Sequence, residues 1–149
     1  MSETNFSKTV LDANPFIAYV ISNHLWIEHL MILCLQNVLP NPDAIFRSRC
    51  PSFALLVNLC EAHRIIEPDF ANVLRKVNAL RNKFAHRMSF EPDLKEAEAL
   101  LGALKNMNEP FLLSFVPASE REMAIALASI SGYLEKLSSN IGSKDSGAA

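Results

Sequence analysis

Arg81, Asn82 and His86 are the residues of this chain whose types and spacing best suit chemistry. An imidazole takes and gives a proton near neutral pH, a guanidinium neutralises charge building on a phosphate, and an amide orients either. The three together suit the cutting of RNA, where the ribose 2′-hydroxyl is an internal nucleophile and no metal is required. Asn82 and His86 are spaced i, i+4 and so are neighbours on a helix surface, within reach of one shared group. Arg81 is i, i+5 from His86, roughly 140° away on an ideal helix, and its long side chain must bend round to meet the imidazole or a phosphate beside it.

These residues need a helix to carry them. Glu67-Pro68-Asp69 places proline and acid at a helix start, which suits the unpaired N–H groups and the macrodipole, and that helix is expected to run to His86 or Arg87. At about 100° per residue, Val73, Val77, Leu80 and Phe84 form its core stripe, while Arg75, Asn78, Asn82 and His86 gather on a second face. A merely solvated face favours Glu and Lys; asparagine is a mediocre helix former, so Asn78 and Asn82 must be stabilised by something other than propensity. Arg75, Asn78, Lys83 and Arg87 are the candidate RNA contacts beside the three central residues, and Arg47, Arg49 and Arg64 extend the basic stretch over positions 47–87.

The rest of the chain is punctuated by its eight prolines, which break helix interiors but are tolerated at first turns and in loops. Pro15 opens an apolar helix over 16–39, closed by Pro40-Asn41-Pro42. Pro51-Ser52 opens a helix over 53–64 on which Phe53, Leu56, Val57 and Cys60 keep helical spacing. Pro92-Asp93 begins a helix to about 105, residues 111–116 form a short strand or an apolar connector, and Pro117-Ala118-Ser119 starts a last helix over 120–140, with Ser119 and Glu122 spaced as a capping box. With almost no strand alternation and no glycine-rich phosphate loop, the chain is expected to be all-α, an antiparallel bundle of four to five helices. One helical domain is expected over 1–141, and the small polar residues 142–149 are expected to be a disordered tail.

Composition narrows the function. Half of the 149 residues are apolar and 20% are charged, which favours self-association. With 14 basic against 16 acidic residues, no global positive field draws the chain to nucleic acid, so any RNA contact is local. Cys34, Cys50 and Cys60 lack metal-ligand spacing and read as small buried residues of a reducing compartment. No basic and apolar leader is evident at Met1-Ser2-Glu3-Thr4-Asn5, so a cytoplasmic location is expected. The 16–39 segment is long enough for a bilayer, but Asn23, His24, Glu28 and His29 interrupt it, and it reads as a core helix with no membrane partner. His24 and Glu28 share a face without a third ligand, so no metal and no cofactor is expected; they read as satisfied polar groups in a crowded helix. Trp26 reads as a core or interface anchor and His63-Arg64 as a basic helix C-terminus. A helix-turn-helix that reads DNA is a poor third choice at a net charge of −2.

The run Leu80-Arg81-Asn82-Lys83-Phe84-Ala85-His86 resembles the Arg-x(4–6)-His signature of the HEPN superfamily, helical bundles many of which are metal-independent endoribonucleases. The resemblance implies an all-α dimer with two motif helices facing each other across a cleft, so that Arg81, Asn82 and His86 are supplied twice. It also implies a toxin-like role with an antitoxin or regulatory protein as partner. HEPN toxins paired with a nucleotidyltransferase antitoxin often carry a tyrosine two residues after the histidine, where this chain has Met88. Residues 24–104 are similar to the mannitol-operon-repressor group as well, through the long first helix, Phe53 to Leu56, Arg64-Ile65-Ile66-Glu67 and Ser89-Phe90-Glu91-Pro92. That group resembles regulators without an evident DNA-reading element.

Two readings therefore stand side by side. In one, His86 is acid or base, Arg81 stabilises the phosphate transition state and Asn82 orients either. In the other, the same polar face organises a dimer or binds a protein partner in a regulatory module.

Overall fold

The computed structural model describes residues 15–86 and 120–145, and within them the chain is an all-α helical bundle. Helix α1 spans Pro15–Val38, α2 Asp43–Phe46, α3 Phe53–Ala62, α4 Pro68–His86 and α5 Glu120–Asp145. The helix expected over 92–105, the segment 111–116, the Ser119 cap and Arg87 lie outside the described residues.

Each boundary has a local cause. Pro15 and Pro68 occupy first helical positions, where a missing N–H costs nothing. Ser52, extended at ψ 156°, caps α3 by accepting from the Leu55 N–H at 3.3 Å. The end of α3 is a Schellman turn: the Ile65 N–H reaches the Cys60 carbonyl at 2.9 Å and the Arg64 N–H the Glu61 carbonyl at 3.0 Å. Arg64 takes the left-handed conformation that this turn requires (φ 56°), at a steric cost of about 1 kcal/mol that a glycine there would avoid. The last helix does not stop near 140 but runs through Asp145, so residues 142–145, expected in the tail, are helical. The serines of this stretch bond back along it, Ser139 Oγ to the Glu135 carbonyl and Ser143 Oγ to the Asn140 carbonyl.

Helix α1 is the hub. It makes its most extensive interface with α5 and smaller ones with α3 and α4. His24 meets Phe53 and the Met31 carbonyl meets Cys60, so α1 and α3 run in the same sense. Residues 39–52, with the unforeseen helix α2 among them, return the chain to the start of α1; climbing back from Val38 to the level of His24 needs about 21 Å, which 14 residues span easily. The turn over 63–67 then sends α4 back antiparallel to α3. Asn23 with Ser131 and Trp26 with Glu135 set α5 in the direction of α1.

The core joins Val20, Ile27, Met31 and Leu35 of α1 to Leu56, Val57 and Cys60 of α3, Phe70, Val73, Leu74 and Val77 of α4, and Leu127, Ile130 and Leu134 of α5. Residues 18–38 are long and apolar enough to cross a membrane by length and composition, but their apolar stripe is the centre of this core, packed by three helices. Cys34 and Cys60 are buried as expected, and burial raises both thiols, Cys60 to about 12. Cys50 departs from that expectation: it is exposed, because the 47–52 connection places it on no helix face.

Candidate functional site

Helix α4 carries every central residue of the candidate site, and its core stripe is the one expected: Val73, Val77 and Leu80 are buried. The side chains of Phe84 and His86 lie outside the described residues, although both positions are helical. The remaining polar residues do not share one fate.

Arg75 is tied into the bundle. Its guanidinium donates to Asn72 Oδ1 at 3.2 Å and to Asn58 Oδ1 at 3.0 Å, and forms an ion pair with Glu61. Two of those three acceptors belong to α3, so this arginine clamps the α3–α4 hairpin.

Asn78 turns to α1. Its amide oxygen lies 3.1 Å from Nε2 of His24, across 54 positions of sequence. His24 is 5% exposed, and its ring stacks on Phe53 of α3 with centroids 4.1 Å apart and planes 22° from parallel. One imidazole thus joins three helices. With the amide oxygen accepting, Nε2 carries the proton and Nδ1 the lone pair. Burial holds this histidine below its ordinary pKa; the Asn78 bond opposes that, the Arg81 charge reinforces it, and Glu28 one turn along α1 opposes it again. The ring is therefore neutral at pH 7.

Arg81 sits half-buried one turn beyond Asn78, near enough for its charge to bear on His24. Its guanidinium donates to Asn82 Oδ1 at 3.2 Å, a bond to the next residue of its own helix rather than to another element. Asn82 and Lys83 are exposed. The structure thus brings Arg81 and Asn82 together, places Asn78 beneath them as a link to α1, and directs Arg75 toward α3.

His24, expected from the sequence as a satisfied polar group in a crowded helix, is a buried member of this site. Its signal was its place on the apolar stripe of α1 with Val20, Ile27 and Met31, facing an asparagine with no propensity reason to be helical. The His24–Glu28 pair has no further ligand beside it: among the described residues no three His, Cys, Asp or Glu side chains cluster as a metal would need. Trp26 is not a core residue. It is 45% exposed, lies over His29 with ring centroids 5.4 Å apart, and donates from Nε1 to Glu135 at 2.8 Å, which fastens α1 to α5 from outside. His63 and Arg64 close α3 at its C-terminus, where positive charge is favourable.

Comparison with protein-family models, with curated proteins and with solved structures found no match.

Proposed function

We propose that the C-terminal half of α4 is one half of a metal-independent RNA-cleaving site that a second copy of the chain completes. The observation that carries this reading is the state of Arg81: half-buried, oriented among the described residues by its neighbour Asn82, and beside a ring that stays neutral. A guanidinium held along its own helix in that way is preorganised for an anion. Arg81 and His86 lie roughly 140° apart on α4, so one copy does not readily offer both to one phosphate, and a twofold partner supplies the missing group. The resemblance of Leu80 to His86 to the HEPN signature supports the same reading, with a cytoplasmic homodimer, single-stranded RNA as substrate and an antitoxin-like protein as restraint.

In this mechanism His86 takes the proton of a ribose 2′-hydroxyl as its oxygen attacks the adjacent phosphorus. Arg81 offsets the charge gathering on the phosphate oxygens and Asn82 orients the guanidinium. The bond from phosphorus to the 5′-oxygen breaks, that oxygen is protonated, and a 2′,3′-cyclic phosphate remains. Lys83 and, by its place in the sequence, Arg87 are assigned to the flanking phosphates; Arg75 and Asn78 serve the fold instead.

A regulatory, protein-binding module similar to the mannitol-operon-repressor group is the second reading. The engagement of Arg75 and Asn78 favours it, since half of the polar face of α4 already serves architecture, and so do the exposed Leu25, Trp26 and Leu55.

Cleavage of labelled single-stranded RNA in the presence of EDTA decides between them. Wild type is expected to cut, Arg81→Ala and His86→Ala are expected to fail while melting normally, and mixing the two variants is expected to restore activity by rebuilding one intact composite site. Wild type that cuts none of a range of RNAs ends the nuclease reading and leaves the regulatory one.

A further inference from the structure

His24 belongs to α1, far in sequence from the motif, yet its side chain touches both α3 and the polar face of α4. The contact is unusual in kind. Arg75 ties α4 to α3 nearer its start, but beside Asn78 the buried neighbours on α4 are the apolar Val77 and Leu80, and apolar packing tolerates small rotations of a helix about its axis, whereas a 3.1 Å hydrogen bond does not. Asn78 is i, i+3 from Arg81 and i, i+4 from Asn82, so whatever fixes the rotation of α4 at Asn78 fixes the direction in which those two side chains leave the helix. The stack on Phe53 holds the imidazole itself in place from the third side.

We propose that His24 is the positioning residue of the Arg81–Asn82 end of α4, acting through Asn78, and that a proton on the ring, while it keeps the Asn78 bond, drives Arg81 from its place. This rests on the reading of Arg81 and Asn82 as a phosphate site, and it adds a regulatory property to that site, sensitivity to acid.

The charged groups around the ring set the sign. From its own helix α1, Glu28 attracts a positive imidazole; from α4, Arg81 repels it; from α3 the contact is the uncharged Phe53; and among the described residues α5 brings no charge to it. Burial adds to the repulsion, so the folded ring takes its proton at lower pH than the unfolded one. Stability is therefore level above the unfolded value of about 6.5 and falls as pH drops below it toward the folded pKa. The Asn78 bond survives protonation, because a charged Nε2–H donates at least as well; Arg81, half-buried and bonded along its own helix to Asn82, is the group that yields.

The test is an NMR titration of the whole chain from about pH 8 to about pH 5, following the histidine rings and the Arg81 Nε–H. In wild type the Arg81 signal is expected to shift in step with the His24 ring. In His24→Gln, whose amide nitrogen keeps the donor to Asn78 but takes no proton, the Arg81 signal is expected to stay still and the acid loss of melting temperature to shrink. Arg81→Ala, which removes no core contact, is expected to move the His24 titration to higher pH. An Arg81 signal that ignores His24, or that shifts as far in His24→Gln because His86 is the source, overturns the proposal. The cleavage assay stays separate: wild type that cuts no RNA removes the nuclease reading and leaves the coupling measurable, while active enzyme with uncoupled titrations removes this inference alone.

Discussion

Arg75 and Arg81 are six positions apart on one helix and carry the same charge, and they show two uses of a guanidinium. Arg75 has three acceptors, two of them on α3, and fastens the hairpin. Arg81 has, among the described residues, Asn82, its own neighbour, and its charge bears on a neutral histidine. An arginine anchored across elements is architecture, because moving it breaks tertiary bonds. One anchored along its own helix keeps its geometry yet remains able to receive an anion. The comparison divides α4 into a first half that holds the bundle together and a second half that the bundle holds in place.

The division is broken most directly at Phe70. It is 1% exposed and meets Tyr133 of α5 edge-on with centroids 4.6 Å apart. Truncation to alanine is expected to cost about 3–5 kcal/mol from lost burial and the cavity left behind. Against a total of about 5–15 kcal/mol this approaches unfolding, and urea denaturation measures it. A cost under about 1 kcal/mol means that the first half of α4 is no anchor.

A smaller effect is expected at the clamp. The Arg75 and Glu61 side chains are 41% and 31% exposed, so solvent weakens their attraction. A double-mutant cycle with Arg75→Met and Glu61→Gln is expected to give a coupling of about 0.5–1 kcal/mol that shrinks with salt. No coupling at low salt removes the contrast between the two arginines from one side.

Much of this fold is legible in the sequence because its punctuation is local. Pro15, Pro68 and Ser52 act within a turn of themselves, and the stripe of Val73, Val77 and Leu80 follows from helical period alone. What is not legible is pairing at a distance. Nothing local in 39–52 says that this stretch carries the chain back so that α3 runs along α1, and the meeting of His24 with Asn78 and Phe53 depends on that return. Asn78 did announce a missing partner by its poor helix propensity, but not which one. Arg75 looked like a member of the polar face because a helical wheel knows angles and not neighbours; the angle that faces solvent on a lone helix faces Asn58 and Glu61 in the bundle.

The smallest effect on stability is expected where the functional effect is largest. Arg81→Ala removes one bond to an exposed neighbour and, near pH 7 where the His24 ring is neutral, no charge–charge interaction with it, so the net change is expected to stay within about 0.5 kcal/mol. Cleavage in the same variant is expected to fall by about 100-fold or more, the usual loss when a preorganised donor to the transition state is removed. Melts and rates measured on one preparation make the point, because an architectural arginine lowers both together. Were Arg81→Ala to cost as much stability as Arg75→Met, the two arginines would be doing the same work, and the second half of α4 would be part of the scaffold.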